Sequence, residues 1–185
     1  TANSVTYDKS LAGTYGTLYL VTAAGSDKGK YLYVQDDAAI NALKATNVKE
    51  SFTVTAADNG TPAATGQTTI TINITGANDT PVLSVPTAIG ITDTAEADTQ
   101  EGLIKSATHN SGTLKATDAE NAAITFGITD DTSGSTTVNG VTYDVSKVGT
   151  NGTLYVQSST GAYVFVPTAS AVNALAAGNT SESFT

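Results

Sequence analysis

Hydrophobic and polar positions along this chain alternate mostly with a period of two. GTLYLVT (16–22), GKYLYVQ (29–35), ESFTVTAA (50–57), QTTITINIT (67–75), AIGIT (88–92), GTLKAT (112–117), AITFGIT (123–129), GTLYVQ (152–157) and GAYVFVP (161–167) are short alternating runs. The turn-forming clusters AAGSDKG, ADNGTPAATG, DDTSGSTTVNG and SSTG separate them. Alternation of this kind places one side of each run in a core and the other in water, as in half-buried strands. Two segments break the pattern. DDAAINALKAT sets Ile40 and Leu43 at helical spacing, and TASAVNALAAGNT does the same with Val172 and Leu175. Each is Ala-rich and opens on a capping residue (Asp36 or Asp37; Thr168 or Ser170), and Gly178 closes the second. The pattern therefore predicts an all-β antiparallel sandwich in which each short helix, of one or two turns, plugs the space between strands.

Internal repetition organises these runs. VTYDKSLAGTYGTLYLV (5–21) returns as VTYDVSKVGTNGTLYVQ (141–157), and GKYLYVQDDAAINALKATNVKESFT (29–53) returns as GAYVFVPTASAVNALAAGNTSESFT (161–185). The second copy is shorter around Ser26 to Lys28. Thr53 and Thr185 hold the same repeat position, so residues 54–185 span one full period, far longer than a solenoid unit. A tandem array of domains is expected, with the chain starting and stopping inside a repeat and Thr185 falling within a strand. The junction is expected near TGANDTPV (75–82), because Pro81 cannot donate to a ladder and fixes its own φ. Residues 1–81 are then the later part of one repeat, and residues 82–185 are the next repeat without its final strands.

Composition narrows the function. The 185 residues carry 17 Asp and Glu against 8 basic residues, all lysines, for a formal charge of -9. A nucleic-acid groove or an anionic membrane patch would be repelled by that balance. There is no cysteine, which excludes disulfides, thiolate nucleophiles and Cys-ligated metals. No apolar run approaches the roughly 20 residues of a spanning helix, and TANSVTYDKS has no signal-peptide pattern. Thr is the commonest residue and, with Val, Ile and Tyr, supplies strand-favouring side chains.

At this point the ordered strings GTYGTLYL, GKYLYV, NALKAT, ESFTVTAADNGT, TITINITGANDTPV and SGTLKATDAEN resemble the VCBS repeats, cadherin-like or immunoglobulin-like modules strung in large bacterial surface adhesins of the RTX type. The resemblance covers nearly the whole chain in a permuted frame. It implies an exported, non-catalytic extension or adhesion module that binds calcium, works outside the cell, and has neighbouring repeats of the same polypeptide as its first partners.

Calcium takes six to eight hard oxygens. The junction supplies Asn78 and Asp79, the segment after it Asp93, Glu96 and Asp98, and ATDAEN supplies Asp118 and Glu120 two apart. In a strand-like or loop conformation residues i and i+2 face one side, so Asp118 and Glu120 are expected to aim at one ion. Family modules more often carry Asp at the second place of that pair, so Glu120 is the position where this chain departs. The candidate calcium ligands are Asn78, Asp79, Glu96, Asp98, Asp118 and Glu120. For Asp93, Asp98, Asp130 and Asp131 taken singly, turn formation explains an Asp as well as a ligand role does. Asp58-Asn59-Gly60 reads equally as a ligand loop or a plain turn, and the repeated Asp8 and Asp144 equally as strand-end caps or ligands.

Catalytic motifs are missing from the sequence: His109 in ATHNSG is the one histidine, and there is no nucleophile elbow, phosphate loop or zinc helix. Tyr31, Tyr33, Tyr163 and Phe165 are core candidates at strand spacing rather than a stacking platform. The Asn-x-Ser/Thr matches at Asn73, Asn78, Asn151 and Asn179 are patterns that a Thr-rich chain produces by chance. Two other functions stay open. A filament or surface-layer subunit exchanging strands between copies is suggested by the cut inside a strand at Thr185; an adhesin tip that binds glycan or protein would interrupt the repeat, which here departs only near Ser26 to Lys28.

Overall fold

The structure is a computed structural model that describes residues 4–93, 99, 102, 110–175 and 180–185. Its strands are β1 (Lys9–Ala12), β2 (Gly16–Leu20), β3 (Tyr31–Gln35), β4 (Asn47–Ala57), β5 (Thr65–Thr75), β6 (Val82–Leu83), β7 (Ser111–Thr113), β8 (Ala116–Thr117), β9 (Thr132–Val138), β10 (Val141–Val148), β11 (Gly152–Val156) and β12 (Ala162–Pro167). Two short helices, α1 (Asp37–Asn41) and α2 (Ala169–Val172), follow β3 and β12. The protein is mostly β, with antiparallel sheets, as the alternating pattern predicts. The chain divides into two units: Thr1–Thr80 with Ala119–Ala122, and Pro81–Asp118 with Ala123–Thr185.

In the first unit a three-stranded sheet, β1-β2-β3, accompanies the β4-β5 hairpin. The hairpin pairs eleven residues a side, from Asn47↔Thr75 to Ala57↔Thr65. Its inward positions are Val48, Glu50, Phe52, Val54, Ile70, Ile72 and Ile74, and its outward ones are mostly Ser, Thr, Lys and Asn, so the period of two sorts the two faces. Leu18, Val21, Phe52 and Ile74 are each buried, and the Phe52 ring meets Tyr33 of β3 at 6.0 Å. Asp36 caps α1, its carboxylate accepting from the N–H groups of Ala38 and Ala39 at 3.0 and 3.1 Å. Gly76, just past β5, has no room for a side chain, because its backbone lies against Leu43 and Lys44 while its N–H donates to Thr46 O at 2.8 Å.

In the second unit a five-stranded sheet has the order β7-β12-β11-β10-β9, and β6 pairs with β8. Ile128, Val145, Val156 and Tyr163 form the core, with Ile89, Leu114, Phe126, Leu154 and Phe184 packed around them. Val172 of α2 is buried against Ile91. The repeat is reproduced in ring geometry. Tyr7 and Tyr19 pair at 6.2 Å and their counterparts Tyr143 and Tyr155 at 6.3 Å; Tyr33 and Phe52 pair at 6.0 Å, as do Phe165 and Phe184.

Three expectations need correction. The cluster at 130–140 contains a seven-residue strand, β9, not only a turn. Its β-branched residues pair with β10 from Val138↔Val141, leaving Asn139 and Gly140, both at positive φ, as a two-residue hairpin turn. AITFGIT forms no strand: Phe126 N–H donates to Ser158 O at 2.9 Å outside any ladder, and Ile128 serves the core from an irregular backbone. AIGIT likewise forms only an isolated bridge at Gly90, while Ile89 and Ile91 join the two clusters of the second unit.

Candidate functional site

The carboxylates fall into three groups according to what already holds them. Asp8 and Asp144, equivalent in the two units, do the same task. Asp8 accepts from Thr22 N–H at 2.6 Å and from the Thr22 hydroxyl; Asp144 accepts from Ser158 N–H at 2.8 Å and from the Ser158 hydroxyl. Hydroxyl and backbone bonds from Thr22 and from Ser158 lower their pKa values below the ordinary carboxylate value. Of the two readings open for this pair, the strand-end cap is the one the geometry gives. Asp58 is also occupied, its Oδ1 accepting from Ala64 N–H at 2.8 Å and Gly60 N–H at 3.0 Å, bonds that lower its pKa. That is a plain turn.

The second group was not singled out from the sequence. Glu50 on β4 reaches back to the β1-β2 turn, accepting from Thr14 N–H and from Tyr15 N–H at 3.2 Å, while its other oxygen takes the Tyr33 hydroxyl at 2.7 Å. Glu182 repeats the device on Thr150 N–H and Asn151 N–H, the latter at 3.1 Å. Gly13 and Gly149 stand where any side chain would collide with these carboxylates. Burial pushes the Glu50 pKa up, but the bonds from Tyr33, Tyr15 and Thr14 outweigh it and leave it lowered. Burial, then the bond to Glu50, raises Tyr33 to about 12. The signal in the sequence was the identity of the turn glycines and of ESFT in both copies.

The third group lies around Asn78 and Asp79, within the first unit. Glu120 is the one buried charged residue among those described, at 6% exposure. Its Oε2 accepts from Asp79 N–H at 3.3 Å, and Asn78 Nδ2 donates to Asp79 O at 3.2 Å. All three belong to the first unit. Asp79 is half-buried and also borders an open depression of about 290 Å3, lined further by Asp37, Asn41 and Gly76. A carboxylate withdrawn from water requires donors or a cation to offset its desolvation.

Asp118 and Glu120 do not share an extended stretch. Ala119 and Glu120 form a turn, Asn121 adopts φ +53°, and the half-buried Asp118 belongs to the second unit. Glu96, Asp98 and His109 lie outside the described residues. Asp93 is exposed, as are Asp130 and Asp131, with Asp130 at 3.9 Å from Lys147 Nζ. Among the described residues no three His, Cys, Asp or Glu side chains come together as a metal-binding group, and no helix is long and apolar enough to cross a membrane. No protein-family model matches the chain, and no curated protein matches it at a significant level.

Proposed function

We propose that this chain is a non-catalytic, calcium-binding extension or adhesion repeat of a large secreted or surface-anchored bacterial protein, similar to the VCBS repeats. Neighbouring repeats of the same polypeptide are its first partners, and its work is mechanical: it adds length between the points it connects. The observation that carries the reading is Glu120, a carboxylate taken out of water beside the Asn78-Asp79 linker. The duplicated turn caps and ring pairs support a module made to be repeated.

The donors fit calcium better than a softer ion. Carboxylate, amide and backbone oxygens are hard ligands, and the chain has no thiol. Glu120, Asp79 and Asn78 would hold the ion, with water and backbone carbonyls completing its six to eight oxygens. When bound, calcium supplies positive charge that offsets the buried carboxylate and favours the folded junction. The chain's own contribution is to keep Glu120 buried and bonded to Asp79 N–H.

A ligand that binds only the folded state stabilises it by about 2.7 kcal/mol at 100 times its dissociation constant. Melting in excess calcium is therefore expected on the order of 10 °C above melting in excess chelator. Glu120→Gln removes the difference. A melting temperature unchanged by calcium overturns the proposal.

A further inference from the structure

The chain carries three Asn-Gly pairs: Asn59-Gly60, Asn139-Gly140 and Asn151-Gly152. In such a pair the glycine nitrogen can attack the asparagine side-chain amide carbon, because no Cβ on the glycine obstructs the approach. The attack needs a backbone with enough slack to bring nitrogen and Cγ together. It also needs an acceptor for the proton that the nitrogen sheds. The three pairs differ in both respects.

Asn151 is fixed on both sides. Its N–H donates to Glu182 Oε2 at 3.1 Å, and its carbonyl accepts from Thr168 N–H at 2.8 Å. Gly152 is buried, with the Phe165 ring against it. Asn139 and Gly140 make up the whole of a two-residue turn, closed by the pair Val138↔Val141 and set at φ +50° and +81°. Moving either residue opens the end of that hairpin. Asn59 stands in a longer loop. The β4-β5 ladder ends at Ala57↔Thr65, Asp58 N–H donates to Ala64 O at 3.0 Å, and Asn59 and Gly60 are exposed between them. Here the nucleophilic amide already points at a carboxylate: Gly60 N–H donates to Asp58 Oδ1 at 3.0 Å, and Ala64 N–H to the same oxygen at 2.8 Å. The bonds from Ala64 and Gly60 hold Asp58 below the ordinary carboxylate value, so at neutral pH it is ionised and able to take a proton.

We propose that Asp58-Asn59-Gly60 is a self-modifying site, at which Asp58 acts as the base for cyclisation of Asn59 onto Gly60. As the Gly60 nitrogen bonds to Asn59 Cγ, its proton passes to Asp58 Oδ1. The tetrahedral carbon then expels the side-chain nitrogen, which takes that proton from Asp58 and leaves as ammonia. Water opens the resulting cyclic imide at either carbonyl, giving aspartate or isoaspartate at position 59. Nothing is oxidised or reduced. The product adds a negative charge to the loop beyond the ladder. The inference does not rest on calcium, and its test is run in chelator.

The full chain is incubated at neutral pH, and conversion at each of the three asparagines is followed by peptide mass spectrometry, with a sample in denaturant as reference. A positioned base contributes roughly 10² to 10⁴ in rate, so in the folded chain Asn59 is expected to convert at least about tenfold faster than Asn139 or Asn151. In denaturant the three rates should converge. Asp58→Ser keeps a side-chain oxygen that accepts from the backbone two residues on but removes the carboxylate. It is expected to slow Asn59 at least about tenfold, with the Asn139 rate and the circular dichroism unchanged. Two results overturn the inference. One is a folded chain in which Asn59 is not the fastest of the three. The other is an Asn59 rate that Asp58→Ser leaves unchanged or raises, which makes loop slack rather than the carboxylate the cause.

Discussion

At the scale of single residues, the acidic character of the chain resolves into distinct tasks. A carboxylate with fixed donors is bound to its loop, and the same carboxylate in open water is only charge. Glu50 shows how finely this is set. Tyr33 supplies its third hydrogen bond, yet the second unit places Phe165 at that position and so builds the same cap with no phenol to donate. Tyr33→Phe is expected to cost about 1 kcal/mol, measured by denaturant unfolding at neutral pH. The pH dependence of that loss has two limbs. Tyr33 has a folded pKa raised from 10.0 to about 12, so its contribution is complete below pH 10 and is lost as pH rises toward 12. Glu50 has a folded pKa below its ordinary 4.5, so its contribution is present above that pH and is lost as pH falls through the lowered value. The difference between wild type and Tyr33→Phe should therefore be flat between these windows and shrink in both. A difference that stays constant from pH 7 to 12 would show that the hydroxyl does not act through this pair.

At the scale of elements, most strands were legible because burial of one face forces alternation. GTLYLVT, ESFTVTAA and QTTITINIT each became a ladder with its apolar side inward. What misled was local composition. Thr132–Val138 has little apolar character and reads as a turn, but Thr is β-branched and the Asn-Gly pair after it reverses the chain in two residues. Gly140 at φ +81° is needed for that reversal. Gly140→Ala should cost about 1 to 2 kcal/mol, whereas Gly134→Ala in β9, where φ is not positive and the space is open, should be neutral or slightly stabilising. Equal losses from both, by thermal melting, would mean that the turn does not require the left-handed conformation. AITFGIT failed in the opposite direction. Its alternation was real, and Ile128 is buried, but the backbone found partners outside a ladder.

At the scale of the whole molecule, the charge of -9 opposes compaction through self-repulsion. With divalent cations chelated, raising the salt from about 0.01 to 0.15 M shortens the Debye length from about 30 to 8 Å. The melting temperature should rise over that range, and adding calcium should reduce the salt dependence. A melting temperature that falls with salt would show that favourable ion pairs outweigh the repulsion. Few such pairs are present among the described residues, those of Lys30 with Asp27 and Lys147 with Asp130.

The sequence by itself determined the fold class, the duplicated unit, the acidic balance and the absence of thiol chemistry. Each follows from a local rule: period of two, identity over a fixed offset, or residue counts. Only the tertiary structure decided the tasks of the acids. The donors that claim Asp8, Asp144, Glu50 and Glu182 lie 14 to 36 residues away along the chain. Glu120 is 41 residues from the Asp79 amide it meets. A charge's task depends on how far it is withdrawn from water and on which donors surround it, and chain folding sets both.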